Sequence, residues 1–234
     1  MKNSGPANPQ RWTRHFVYRT EHTRTTWKFR VLLVALLLGL GWLARGWTTT
    51  AVANSLVCEA NAAPSDAILV ENFDPTYLTF ETAARLRRAE VASRVLVPVA
   101  KNGSDDQANN VALRVTELMA SLARLGTIEV VPIREIEPIS LNAAVDIRRF
   151  MEREGIRSVV VVSPLFRSRR SELVYDATLG AGGITVRCEP VRDDRDPSTW
   201  ADSWHGMQNV AEQWLKLQYY KLYVLPFKAR TQGQ

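Results

Sequence analysis

A run of fourteen almost uninterrupted apolar residues, VLLVALLLGLGWLA at positions 31–44, follows a basic N-terminal tail and constrains this chain more than any other feature. A lone segment entering hydrocarbon must satisfy its own backbone N–H and C=O groups, and only the α-helix lets it do so. At about 1.5 Å per residue the run reaches roughly 21 Å, short of a ~30 Å hydrocarbon core. Extending the helix over residues 29–52 closes the gap and leaves Arg45 near one end, where its guanidinium can reach outward. Trp27, Trp42 and Trp47 stand where interfacial aromatics collect. The expected division is a tail at 1–30, a transmembrane anchor at 31–52 and a folded domain at 63–228. A cleaved secretory leader is the competing reading, since the short apolar core is followed by AVA at 51–53 and ANA at 60–62. The length of the tail favours the retained anchor.

The chain holds 30 Lys and Arg against 24 Asp and Glu, a formal net charge of +6. Lys2, Arg11, Arg14, Arg19, Arg24, Lys28 and Arg30, set against Glu21 alone, account for all of that surplus. Positive charge concentrated on one flank of an apolar helix predicts a cytoplasmic tail and an extracytoplasmic domain at the cytoplasmic (inner) membrane. A nucleic-acid-binding fold would carry its surplus on the fold itself, so no nucleic-acid partner is expected. Cys58 and Cys188 are the only cysteines. Outside the cytoplasm they are free to bridge, and buried unpaired thiols are the open alternative. Their spacing matches no metal motif.

Beyond the anchor, strand and helix patterns alternate. Strands are expected at 67–71, 94–99, 128–133, 158–163 and 184–188. Helices are expected at 77–92, 111–125, 141–154 and 169–179, with a long aromatic-rich helix at 200–225. SVVVVS at 158–163 lacks polar alternation, as in strands buried on both faces. This order predicts a three-layer α/β, Rossmann-like domain with a mostly parallel sheet. Such sheets bind ligands beyond the carboxyl ends of their strands, at a topological switch point. The places to examine are therefore the positions after Glu71, after Val99, around Ser140 to Asn142, and after Ser163.

SPLFRSRRS at 163–171 puts Arg167, Arg169 and Arg170 between a strand end and the first turn of a helix. Cations there oppose the helix macrodipole, so an acid such as Glu172 or a bound anion should offset them. Guanidinium groups beside free helix N–H groups suit a phosphate or carboxylate. Glu71 ends the first strand, where a carboxylate serves as base, metal ligand (with Asp74) or hydroxyl acceptor, or else caps the following helix or pairs with an arginine. Asn142 and Ser140 suit helix capping and also ligand contact. The loop at 101–106 is polar. His205 has no second ligand-type partner in sequence, and Glu212 and Lys216 have the spacing of a helix ion pair. No GxGxxG, P-loop, HExxH, nucleophile elbow or paired-cysteine motif is present, so neither a cofactor nor a metal is expected.

With these segments in order, the chain resembles the envelope family of YdcF-, SanA- and ElyC-like proteins (domain of unknown function 218). AILVENFDPTYLTFETA resembles that family's first strand, acidic residue and helix. SVVVVSPLFRSRRSELVY resembles its fourth strand and signature turn, and WHGMQNVAEQWLKLQYYKLYVLP its closing helix. The resemblance spans about residues 67–226. It implies that Glu71 is the acidic strand-end residue and that Ser163, Arg169 and Arg170 line the pocket. Arg167 stands where the family commonly has histidine, so a proton transfer needing an imidazole has no group at that position. The implied setting is peptidoglycan, lipid-carrier or exopolysaccharide biogenesis. The expected ligand is a phosphorylated lipid carrier or sugar phosphate held by Arg167, Arg169 and Arg170, with Ser163 donating to it and Glu71 and Asn142 contacting the sugar or pyrophosphate. Two other readings stand beside this one. The first is a hydrolase or transferase with Glu71 as base; the second is a non-enzymatic envelope component docking a partner protein on its aromatic C-terminal helix.

Overall fold

The computed structural model describes residues 26–101, 107–192 and 196–228. The tail up to residue 25 and loop positions 102–106 lie outside them. The first element is helix α1, Trp27–Asn54, long and apolar enough to cross a membrane. The chain divides into two compact units at Arg45, and the α/β domain belongs to the second.

That domain has five parallel strands: β1 Ala67–Val70, β2 Arg94–Ala100, β3 Glu129–Ile133, β4 Ser158–Pro164 and β5 Thr185–Val191. They are ordered β3-β2-β1-β4-β5. Helices α2 (Tyr77–Arg88) and α3 (Asn110–Leu122) cover one face with Ile68, Val70, Val95, Val97, Val160 and Val162. Helices α4 (Ile139–Arg153) and α5 (Ser168–Thr178) cover the other with Ala67, Leu69, Leu96, Val159 and Val161. The period-two alternation of strands thus sends every second side chain to one of two separate cores, which is why valine fills consecutive positions in β4. The expected three-layer architecture is what the chain adopts.

Two helices stop earlier than their patterns predict. Glu90 and Arg124 take left-handed backbone conformations (φ 57° and 52°). Behind each, a reversed hydrogen bond closes the end: Val91 N–H donates to the Leu86 carbonyl and Leu125 N–H to that of Ala120. Glycine usually supplies this left-handed residue, as Gly155 and Gly183 do after α4 and before β5. Without glycine the stop carries no sequence signal.

The expected long helix at 200–225 is broken. A 3₁₀ turn, Trp200–Asp202, precedes α6 (Trp204–Tyr219), and a π-helical segment, Tyr220–Lys228, follows it. Ser203 caps α6 by accepting from Gly206 N–H at 3.0 Å. A Cβ at Gly206 would lie 2.1 Å from the Trp200 carbonyl oxygen, so the turn folds onto the helix only with glycine there.

The cysteines are bridged. Cys58–Cys188 joins the segment after α1 to the middle of edge strand β5, across 130 positions of sequence. Asn61 reinforces that edge: its N–H donates to the Cys188 carbonyl, and its Oδ1 accepts from Cys188 N–H. Residues 58–61 thereby shield an edge that would otherwise offer unpaired backbone groups. Ala53, Leu56, Leu165, Phe166, Val210 and Leu217 form a third small core.

Candidate functional site

The strand order reverses between β1 and β4, which puts the switch point of this sheet at their carboxyl ends. Register does the next step. Val70 pairs with Val162, so Glu71 and Ser163 emerge next to each other. By parity both leave the sheet on the face covered by α5. A turn of 3₁₀ helix, Leu165–Arg167, then delivers the chain into α5. Arg167, Ser171 and Tyr175 follow at intervals of four, and so share the helical face that looks back at Glu71.

Glu71 is the hub and is 1% exposed. Ser171 Oγ lies 2.9 and 2.8 Å from its two carboxylate oxygens, which share its single proton. Arg167 Nε stands 3.4 Å from Oε2 as an ion pair, with its guanidinium over the Phe73 ring at 4.9 Å. Arg170, 6% exposed, lies over the Tyr220 ring at 5.4 Å. Among the described residues no carboxylate comes within ion-pair distance of it. Burial pulls its pKa below the ordinary arginine value and Arg167 adds to that, while Glu71, Tyr220 and Glu212 pull the other way. It remains a cation.

One buried carboxylate therefore faces two guanidinium groups, Arg167 half-buried and Arg170 buried, and the cluster keeps a surplus positive charge. Its unmet hydrogen bonds lean the same way. The Ser163 hydroxyl and the Tyr175 phenol are buried with no partner, and Arg167 Nε has an ion pair without hydrogen-bond geometry. Burial first, then Glu71, pushes the Tyr175 pKa well above its usual range, so the phenol keeps its proton as a donor. Arg167 Nε–H, Ser163 O–H and Tyr175 O–H all lack an acceptor. Of these groups Arg167 alone reaches a cleft of about 170 Å³, which Asp74, Thr76, Asn209 and Gln213 also line, while Ser163 and Tyr175 stay buried behind it. That size suits one phosphate-like group and falls below the ~300 Å³ at which drug-sized pockets begin. Gln213 Oε1, on its wall, is also without a partner.

The other expected residues are placed differently. Arg169 turns away from the cluster to Glu172 at 2.6 Å, as an exposed i,i+3 pair. One position along a helix is about 100° around it, which separates Arg169 from Arg170. Asn142 is not a cap: α4 begins at Ile139 after Pro138, and Asn142 Nδ2 donates to the Ile136 carbonyl at 2.8 Å, steadying the preceding loop. Ser140 N–H donates to the Tyr220 hydroxyl at 3.3 Å, which ties the start of α4 to the ring over Arg170. Lys216 and Glu212 pair as their spacing predicts, and His205 is exposed. Among the described residues no group of His, Cys, Asp or Glu is disposed to hold a metal. Ser171, Tyr175, Asn209 and Gln213 were not singled out by sequence, although the four-residue spacing from Arg167 points to the first two.

A larger groove of about 730 Å³ lies between β3 and α4. Its acids are already engaged, Asp146 by Arg134 and Arg149, and Glu152 by Arg148. Its position is away from the switch point, which lies at the cluster around Glu71. No protein-family model matches the chain, and no curated protein matches it.

Proposed function

We propose that this chain is an envelope protein of the cytoplasmic membrane, kin to the YdcF-, SanA- and ElyC-like group. Its tail is cytoplasmic and its α/β domain extracytoplasmic. The domain recognises a phosphate-bearing ligand, a polyprenyl-phosphate carrier or a sugar phosphate, in peptidoglycan or exopolysaccharide biogenesis. The observation that carries the reading is the imbalance at the switch point. Glu71 pairs with Arg167 and acts on Arg170 only at longer range, and Arg167 Nε–H and the Ser163 and Tyr175 hydroxyls, each able to donate, are without hydrogen-bond partners. A phosphate group supplies both the negative charge and the acceptor oxygens. Arg167, on the cleft wall, meets the anion first, and Arg170 adds its charge from behind.

The geometry favours binding over turnover. Glu71 has almost no access to solvent, shares the Ser171 proton and pairs with Arg167, so its role is to hold Arg167 rather than to take a substrate proton. Isothermal calorimetry of the full-length protein in detergent, titrated with pyrophosphate, tests the reading. Saturable binding is expected in the parent and its loss in Arg167→Ala/Arg170→Ala. Equal affinity in the two proteins refutes it.

A further inference from the structure

Helix α5 begins without a cap of its own. Its N-cap position is Arg167, whose side chain makes no capping hydrogen bond, so the first N–H groups of the helix need acceptors from elsewhere. The connection between α1 and β1 supplies one. The Leu56 carbonyl accepts from Arg169 N–H at 3.0 Å, the bond that a capping side chain ordinarily makes. Two residues on, Cys58 N–H donates to Ser168 Oγ at 3.0 Å, and that hydroxyl donates in turn to the Leu165 carbonyl at 2.7 Å. Ser168 is fully buried. Leu56 also packs in the third core with Leu165 and Phe166, and those two residues line the cleft beside Arg167.

These contacts fall on Ser168 and Arg169, the two residues that stand between Arg167 and Arg170. The start of α5, and with it the direction of both guanidinium groups, is thus set by a segment 110 positions away in sequence. The bridge holds that segment in place. Cys58–Cys188 ties it to β5, Asn61 bonds Cys188 through both N–H and Oδ1, and Cys188 Sγ lies 3.9 Å from the Ser168 carbonyl oxygen. Hydrogen bonds of a connecting segment open locally, whereas a covalent link keeps their ends together.

We infer that the Cys58–Cys188 bridge positions the anion site, acting through Ser168 on Arg167 and Arg170, so that the site is set only in the oxidised protein. The inference rests on the anion-site reading of the cluster. Reduction by a dithiol breaks the S–S bond, delivers two electrons and two protons to give the two thiols, and closes the dithiol into its own disulfide. Residues 56–58 then lose their covalent hold beside Ser168, and the first turn of α5 loosens. The site accordingly forms in compartments where a disulfide persists.

The test is calorimetric titration of the full-length protein in detergent with pyrophosphate, before and after dithiothreitol, with thiol alkylation to confirm reduction. Cys58→Ser/Cys188→Ser is the permanently open form, and amide hydrogen exchange reports on the fold of each sample. The reduced parent and the variant are expected to bind about tenfold more weakly, the worth of one misplaced charge-assisted hydrogen bond. Amides at 168–170 should exchange faster in both while β1 and β4 stay protected, and oxidised glutathione should restore the parent alone. Full affinity in the reduced parent or the variant overturns the inference. So does loss of protection in β1 and β4 together with 168–170, which would make the bridge a support of the whole domain. Absence of binding by the oxidised parent refutes the anion site itself, and the inference falls with it.

Discussion

Replacing Glu71 by glutamine keeps the shape of the side chain and removes the buried charge that pairs with Arg167 and acts at longer range on the buried Arg170. Removing one partner from a buried ion pair typically costs about 3–5 kcal/mol, because the remaining charge stays desolvated. Glutamine still accepts from Ser171 through its amide oxygen, so the lower end applies, about 3 kcal/mol. In a domain of this size each kcal/mol moves the melting temperature by roughly 2–4 °C, so Glu71→Gln should melt about 6–12 °C below the parent. Arg170→Met removes a cation from the same cluster but should cost far less. It gives up a cation–π contact with Tyr220 of order 1 kcal/mol and relieves the repulsion from Arg167. The assay is thermal unfolding of the full-length protein in detergent, followed by circular dichroism. The discriminating quantity is the order: Glu71→Gln well below Arg170→Met. If Arg170→Met destabilises as much as Glu71→Gln, Arg170 is a satisfied structural residue and the surplus charge on which the anion site rests is not there.

Other outcomes are equally specific. Asp66 Oδ2 accepts from the N–H groups of Arg157 and Ser158 and from the Ser158 hydroxyl, and these bonds hold its pKa below the ordinary aspartate value. A lowered folded-state pKa contributes stability above the unfolded value of about 4 that is lost as pH falls through the folded one, so denaturation midpoints below pH 4 should fall less steeply in Asp66→Asn than in the parent. The Cys58–Cys188 bridge spans 130 positions, and chain-entropy arguments give such a loop about 5 kcal/mol as an upper figure. Cys58→Ser/Cys188→Ser should therefore lower the denaturant midpoint substantially, and reductant should have no further effect on it. Arg169→Ala, which removes only an exposed pair with Glu172, should change stability by less than about 0.5 kcal/mol and leave pyrophosphate affinity unaltered in calorimetry.

The architecture was readable because parallel, doubly covered strands leave an unmistakable trace. AILV, RVLVPV and SVVVVS have no polar alternation, and amphipathic helical spacing fills the intervals between them. Helix ends were readable where glycine marks the left-handed residue and not where Glu90 or Arg124 takes it. Glu71 and Ser163 could be anticipated as site residues because the switch-point rule names strand ends. Their adjacency, however, depends on the β1–β4 register, which no local pattern encodes. The arginines were the hardest to sort. Three cations at a helix start look alike until the buried face of that helix is known, and only then do Arg167 and Arg170 fall inside and Arg169 outside. The same ignorance of facing hid Ser171 and Tyr175.

The most direct test of the anion site is native mass spectrometry of the full-length protein purified in mild detergent, beside Arg167→Ala/Arg170→Ala. A phosphorylated lipid or sugar that travels with the parent and is absent from the variant is the predicted result. The same adduct on both proteins, or bare masses for both, would contradict a phosphate site built on those two arginines.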